Sequence, residues 1–383
     1  MTFSNVSFGD VTDNFDKKRI PLSAAQREKR QGKYRYYGAQ GVIDWVDDYI
    51  FDGTYLLIAE DGENLKSKKS NIAQLASGKF WVNNHAHVIQ CKKGYDIRYL
   101  CYLINLTDLS GYITGSAQPK LSQSSMNAIV LPMPKFEIQK EVADFIEKFD
   151  KKIQINEKVN DNLEQQAVAL FKSWFVDFSL FGGTVPENWE DTTLENITTL
   201  ITRGIAPKYS DDSDQTVVNQ KCIRNHTIDL SLARTHTPKA INEKWLKFGD
   251  LLINSTGDGT LGRVAQVWFA PKALTVDSHV TIVRPAREEL IFYIGLWGIL
   301  HEKEIESLHT GSTGQTELPR DRVKMLKLLL PDNISLSRFN SIIAPMASTI
   351  ILNQEENQKL ASLRDTLLPK LMSGEIDVSS IQL

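Results

Sequence analysis

The chain has 383 residues, 42% of them hydrophobic and 24% charged, which places it among globular proteins and excludes a disordered chain. Its 44 Lys and Arg stand against 47 Asp and Glu, for a net charge of -3, which excludes a small all-basic nucleic-acid module but not a larger protein with a local basic face. Length alone argues for two or three domains of about 150 residues each.

The opening MTFSNVSFGDVTDNFDKK lacks the apolar core of a signal peptide. Lys17, Lys18, Arg19, Arg27, Lys29, Arg30, Lys33 and Arg35 then stand against the single acid Glu28, and Tyr34, Tyr36 and Tyr37 interleave with the end of the run. Such a segment suits phosphate contacts with base or sugar packing, or else is a solvated charged loop. Seven acids and no Lys or Arg follow between Asp44 and Glu63, which hides this polarity in the net charge. Val42 to Ile58 and Val82 to Gln90 carry strand signals, and Ile97 to Leu106 the spacing of a short helix. His85 and His87 fall on one strand face, a pattern that either holds a metal or, more simply, satisfies a histidine within the domain.

From Glu137 to Phe175 apolar residues recur every three or four positions, predicting a helix about 58 Å long at about 1.5 Å per residue. Gly182-Gly183 closes that region. Arg203, Lys208, Lys221, Arg224, Arg234 and Lys239 form a second, weaker basic set. Strand signals return at Leu251 to Asn254, Val264 to Phe269 and Leu274 to Arg284, and Leu290 to Glu304 reads as short helix. The GxGxxG at Gly257, Gly259 and Gly262 is followed by a strand pattern rather than a helix, so a hairpin turn is expected and not a dinucleotide site. A second long helical pattern runs to Gly374, with Pro345 predicting a kink or a late start.

The two series are one series repeated at a period of about 195 residues, which means a duplicated unit rather than a solenoid. Phe80-Trp-Val-Asn-Asn-His-Ala-His-Val-Ile89 aligns with Leu274-Thr-Val-Asp-Ser-His-Val-Thr-Ile-Val283, and Thr114-Gly-Ser116 with Thr310-Gly-Ser312, with Gln118 and Gln315 beyond them. In the helices Val142, Phe145, Phe149, Ile153, Asn156, Asn160, Leu163, Leu170 and Trp174 align with Phe339, Ile342, Met346, Ile350, Asn353, Asn357, Leu360, Leu367 and Leu371. Every pair agrees in apolar or Asn character. Two such helices bury their stripes against each other in an antiparallel pair, with the asparagines either setting register in the seam or lying at its solvent edge. The aromatic end Leu170-Phe171-Lys-Ser-Trp174-Phe175 needs a further cover, either the second domain's core or another subunit. The fold class is α+β: two mixed α/β domains (1–135 and 179–334) in pseudo-twofold duplication, with long helices at 136–178 and 335–383 forming a coiled coil.

Three cysteines, Cys91, Cys101 and Cys222, form no CxxC pair, which disfavours a disulfide framework or structural zinc and fits a reduced, cytoplasmic setting. No GxxxxGK[ST] loop and no adjacent prolines occur, so P-loop ATPase and amino-methyltransferase signatures are missing. The longest apolar run, Leu290 to Leu300, is too short for the roughly 20 residues of a membrane span.

Taken together, Tyr34-Arg-Tyr-Tyr-Gly-Ala39, Phe80 to Ala86, Leu163-Glu-Gln-Gln-Ala167 with Leu170 to Phe175, Thr310-Gly-Ser-Thr-Gly-Gln315 and the tail Leu363 to Ile376 resemble the specificity subunit of type I restriction–modification enzymes. The resemblance covers nearly the whole chain. One departure is Pro186-Glu-Asn-Trp189, which has no counterpart before Phe8 and leaves the first domain's opening strand without support. Membership implies two target-recognition domains, each reading half of a split double-stranded DNA site. It implies helices that space them and dock two methylation subunits, with restriction subunits joining later. The chain itself then carries no cofactor and no catalysis. S-adenosylmethionine belongs to the methylation subunits, ATP and magnesium to the restriction subunits. The basic residues above, with Tyr34, become DNA-binding candidates, and the helical stripe with Phe171 the helix and subunit interface. The alternative is a stand-alone, metal-dependent nuclease with a duplicated domain, its acids drawn from Asp44 to Glu63.

Overall fold

Among the described residues of the first half, eight strands form: β1 (Ser4–Ser7), β2 (Thr12–Asn14), β3 (Gln31–Gly38), β4 (Gly41–Val46), β5 (Phe51–Ala59), β6 (Ala73–Val82), β7 (Ala86–Cys91) and β8 (Val130–Met133). This is a computed structural model, which describes residues 2–115, 118–257, 259–311, 316–378 and 381. Ser116, Ser312 and Gln315 of the paired loop motifs, and Asp258 of the glycine motif, lie outside the described residues. Six strands make one sheet in the order β2-β7-β5-β6-β3-β4, and β1 pairs separately with β8. The opening strand that lacked support in the sequence is therefore present. Strand β5 is buried on both faces, Phe51, Tyr55 and Leu57 in one cluster and Leu56 and Ile58 in the other, which is why its end reads as an unbroken apolar run.

The second half holds β9 (Glu190–Thr193), β10 (Thr198–Arg203), β11 (Thr216–Val218), β12 (Ile223–Arg224), β13 (Thr227–Ile228), β14 (Arg234–Thr235), β15 (Leu251–Asn254), β16 (Val264–Gln266), β17 (Leu274–Val276), β18 (Val280–Pro285) and β19 (Lys327–Leu330). The topology of the first half recurs. Strand β9 pairs with β19 as β1 does with β8, and β10-β18-β15-β16 follows β2-β7-β5-β6. In the first half β6 bonds both β5 and, in parallel, β3. In the second, Trp268-Phe-Ala-Pro-Lys-Ala273 interrupts that strand, so β16 pairs with β15 while β17 pairs in parallel with β11. Pro271 has no N–H to give a ladder, and it accounts for the break.

The GxGxxG segment turns β15 into β16, an antiparallel hairpin. Gly257 and Gly262 hold φ of +102° and +83°, and a Cβ on Gly262 would stand 2.6 Å from the Glu306 Cα. These glycines serve the turn and its close packing, and no helix starts there to face a pyrophosphate.

The long helices span Phe136–Phe175 and Asn333–Ser373. The second neither starts late nor breaks at Pro345. Its start is set upstream, where Asp332 Oδ1 accepts the N–H groups of Ile334 and Ser335 at 2.8 and 2.9 Å. Burial works to raise the Asp332 carboxyl, but these bonds, the Ser335 hydroxyl and Trp189 Nε1 hold it down to about 2. The lead-in tryptophan thus ties β9 to that cap. The interior proline deletes one helix hydrogen bond, which burial of Phe339, Ile343, Ala347 and Ile350 offsets.

The chain divides into two units, residues 1–153 with 358–383 and residues 154–357, and the division runs through both long helices. In the first unit Val142, Phe145, Phe149, Leu368 and Leu371 share a core, Ile153 is half-buried, and Arg364 meets Asp150 at 2.6 Å. In the second unit Ala167, Phe171, Trp174 and Phe175 pack on Phe339, Tyr293 and Trp189, with Leu163 and Leu170 partly buried beside them and Ile350 in the same cluster. The second domain's core therefore covers the aromatic end. Phe171 and Trp174, 1% and 8% exposed, are core residues and not a free subunit face. In the second unit residue 156 meets 357 and residue 160 meets 353, so the helix segments there pair antiparallel. No described helix is long and apolar enough to cross a membrane.

Candidate nucleic-acid interface

The basic segment of the first half folds into a 3-10 turn at Asp16–Lys18, a short helix at Ala24–Glu28 and strand β3. Its acids lie elsewhere in sequence but beside it in space. Arg27 meets Asp44 and Arg30 meets Asp47, both at 2.8 Å, and Arg19 meets Glu60 at 2.8 Å. The strongly positive charge read along the chain is therefore largely answered by the acidic stretch that follows it, because pairing of β3 with β4 brings the two together. Lys17, Lys18, Lys29 and Lys33 stay exposed, with no acidic partner among the described residues. Arg35 lies over the Tyr37 ring and donates to the Ser77 carbonyl at 2.6 Å.

The same folding adds residues that sequence did not single out. Tyr49 packs on Tyr34 at 5.2 Å, and the Lys79 ammonium sits 4.5 Å from the Tyr49 ring. Trp45, half exposed, stands opposite Arg35 across the β3–β4 pair. The alternation Ile43, Trp45 along β4 was the available signal, because both exposed apolar side chains fall on one face. Cations interleaved with accessible aromatic rings can hold a polyanion that also presents flat bases.

In the second half Lys208, Lys221, Arg224 and Lys239 are exposed, and Arg234 stacks 3.6 Å from the Tyr209 ring. Lys239 donates to the Ala206 carbonyl, and Arg203 pairs with Glu317 at 2.7 Å.

One backbone turn recurs in both halves. Asn83 N–H donates to the Tyr37 carbonyl as Asp277 N–H does to that of Val218, at 3.0 and 2.9 Å. The Asn83 side chain accepts the His85 N–H at 2.8 Å as Asp277 accepts that of His279 at 2.9 Å. Glu60 and Ser255 donate to the carbonyls of His85 and His279, and Leu121 and Leu318 donate to those of Glu60 and Ser255. Beside this frame Thr114 bonds Lys120 in both directions, and Thr310 bonds Glu317 likewise. Each exposed imidazole is held by Nδ1, His85 by Asp61 at 2.8 Å and His279 by Thr256 at 2.6 Å.

His87 points the other way, into the domain. Its Nδ1 lies 2.6 Å from Asp16, and its Nε2 meets the Leu121 carbonyl at 2.8 Å. Asp16, Glu60 and His87 are close enough to hold a cation, and the Arg19 guanidinium supplies that charge at Asp16 and Glu60. Burial works to raise the Asp16 carboxyl, but His87, Asn14 and the Val88 N–H hold it below its ordinary value. Glu60 is likewise lowered against burial by Arg19, His87 and Lys120. At the equivalent positions of the second half, Ser255 and Thr281 share a hydroxyl hydrogen bond of 2.5 Å.

A family model described as the type I restriction modification DNA specificity domain matches residues 2–165. The chain is 26% identical over 358 residues to the type I restriction enzyme MjaIX specificity subunit of Methanocaldococcus jannaschii, covering 85% of this chain and 80% of that one. It is 22% identical to the HindI specificity subunit of Haemophilus influenzae, covering 98% of this chain and 95% of its relative. Over most of its length the chain is similar to the specificity subunits of type I restriction–modification systems. Its fold matches the crystal structure of the type I restriction–modification S subunit from M. genitalium, with a TM-score of 0.59 over 97% of this chain and 96% of that one at 14% identity. Of the seven acids from Asp44 to Glu63, from which a nuclease would have to draw, four are spread among partners: Asp44 and Asp47 on arginines, Glu60 on Arg19, Asp61 on His85.

Proposed function

We propose that residues 1–135 and 179–334 are two target-recognition domains, each binding one half of a split double-stranded DNA site. Helical segments 136–178 and 335–383 set the gap between the half-sites and dock two methylation subunits. In that division S-adenosylmethionine serves the methylation subunits, and ATP and magnesium serve restriction subunits that complete the assembly. This chain contributes address and spacing in the cytoplasm. The observation that carries the reading is the strand order built twice, each time closed by a strand pair that leads into a long helix. Two copies of one binding unit on a covalently fixed spacer gain affinity jointly only when both half-sites stand at the matching separation.

Methylome sequencing of cells with and without the gene tests this. A split, asymmetric methylated motif should appear with the gene and vanish with its deletion. Exchanging residues 179–334 for the corresponding domain of another family member should change one half of the motif. A change in both halves, or in neither, contradicts independent reading.

A further inference from the structure

We propose that His85 and His279 are paired phosphate anchors, one in each domain, that hold the DNA backbone without reading its bases. The inference rests on the two-domain reading above and adds the side chains through which each domain grips the backbone. Three observations converge on it.

The first is retention of an exposed side chain where the buried surroundings have changed. Around the turn, the charged trio Asp16, Glu60 and His87 of the first domain is replaced by the neutral Ser255–Thr281 pair in the second. The core on this side differs between the halves, yet the imidazole two residues earlier, in the turn before the strand, is present in both. Packing does not require it, since the His85 side chain is 48% exposed and His279 is exposed too. A solvent-facing side chain shared across such a difference is more readily explained by binding than by packing.

The second is the way the ring is held. Among the described residues, hydrogen bonds reach only Nδ1 of each ring, leaving Nε2 to solvent. The partners differ but serve one end. Between the Asp61 carboxylate on Nδ1 and a phosphate on Nε2, the His85 ring bridges two anions in its imidazolium form, in which both nitrogens donate. The Thr256 hydroxyl can donate to Nδ1 of His279, which puts the ring's own proton on Nε2. Both arrangements present an N–H to an anion. The turn's backbone bonds, matched between the halves to within about 0.1 Å, place the two rings alike on their domains.

The third is that the feature is the same in both domains. Two domains that read different half-sites cannot draw their difference from an identical side chain on an identical frame. A shared contact therefore goes to what all DNA shares, its phosphates.

The test uses the chain assembled with its methylation subunits and compares His85→Ala, His279→Ala and wild type on specific and scrambled duplexes. Each substitution should weaken binding to both duplexes by the same factor, about tenfold, as expected for one hydrogen bond to a charged group. The methylated motif should be unchanged. His85→Gln, which keeps a neutral N–H at similar reach, should recover part of the loss. Assembly with the methylation subunits serves as the check on folding. Binding unchanged in both alanine variants overturns the inference and leaves the two-domain reading standing. A loss confined to the specific duplex, or an altered half-motif, also overturns it by making the histidine a base reader. A wild-type complex that binds no DNA overturns both.

Discussion

Asn156 donates from Nδ2 to Oδ1 of Asn357 at 2.8 Å, and Asn353 donates in the same way to Asn160 at the same distance. Asn156 aligns with Asn353 in the repeat, and Asn160 with Asn357. Each hydrogen bond is therefore the other's image under exchange of the two halves, which is what a local pseudo-twofold axis produces. Asn156 is 2% exposed and Asn160 8%, so these amides lie inside the seam and not at its solvent edge. A polar pair in an apolar stripe is matched in only one register, because a shift of one turn leaves four amides without partners.

The register role predicts an asymmetry between single and double substitutions. Asn156→Ala leaves Asn357 without its donor and should destabilise the helix pair by about 1–3 kcal/mol. Asn156→Leu combined with Asn357→Leu should be nearly neutral or stabilising, while loosening the choice of register. Thermal unfolding of the full chain measures the first effect. The spacing of the methylated half-sites reports the second: a double variant that methylates only the wild-type spacing argues against the asparagines as the register device.

Acid should open the first domain before the second. Asp16 and Glu60 sit below their ordinary values when folded, despite burial that works the other way. Depressed carboxyls contribute stability that is full above the unfolded range, about pH 4, and lost as pH falls through the folded values. The second domain holds the neutral Ser255–Thr281 pair at the same place. Hydrogen exchange along an acid titration should show β2, β5 and β7 losing protection before β10, β15 and β18. Asp16→Asn should lower stability at neutral pH by about 3 kcal/mol, since it takes the carboxylate away from Arg19 and from the buried His87, and should flatten the acid dependence. An acid profile identical to wild type would remove the Asp16–His87 pair from the account.

Much of the fold was legible because it rests on periodicity. The central helix, the helix at Ile97–Leu106 and strand Leu251–Asn254 follow the apolar spacing closely. Strand β3 was not legible as a strand, because Gln31-Gly-Lys-Tyr-Arg-Tyr-Tyr-Gly38 alternates charge and ring rather than polar and apolar. Strand β6 was hidden in part by Ser77-Gly78-Lys79 in its middle. The site was legible only as composition. That Arg27 and Arg30 answer Asp44 and Asp47 follows from the β3–β4 pairing, and nothing local in the chain announces it. His85 and His279 were visible as a matched pair, but their exposure and their Nδ1 partners depend on residues brought in from other strands.

Within the second unit the central helix leaves apolar side chains uncovered among its described residues. Ile155 and Val159 are 56% and 39% exposed, one turn apart on the central helix, with Leu163 half-buried beyond them. This face, and not the buried Phe171 and Trp174, suits a methylation subunit. Ile155→Asp with Val159→Asp should weaken assembly by about a hundredfold or more, from loss of roughly 1.5–3 kcal/mol of burial at each side chain, with thermal stability nearly unchanged. Phe171→Asp should instead unfold the second domain, because it puts a charge into the cluster of Phe175, Tyr293 and Phe339. Normal assembly of the Ile155/Val159 double variant in a pull-down with the methylation subunit would place the docking face elsewhere.

The ion pairs across β3 and β4 sort the basic segment into two classes with different expected behaviour. Lys17, Lys18, Lys29 and Lys33 project into solvent with no acidic partner among the described residues, so each is available to displace a counterion from DNA. Arg19, Arg27 and Arg30 already neutralise Glu60, Asp44 and Asp47 within the domain. Replacing all four lysines by Gln should weaken binding to specific and scrambled duplexes alike and lower the salt slope by about 0.9 for each phosphate no longer neutralised. Preference at the second half-site should be untouched, because Arg224, Arg234 and Lys239 belong to the other domain. Arg19→Gln should act differently. It removes the cation from the Asp16–Glu60–His87 group, so the loss should appear first as reduced stability of the first domain, with the salt slope retained in the molecules that stay folded. Titrations at several salt concentrations, run beside thermal unfolding, separate the two classes. A salt slope unchanged in the lysine variant, with assembly intact, would take this segment off the DNA, and a slope lowered by Arg19→Gln without loss of stability would mean that the pair with Glu60 opens when DNA binds.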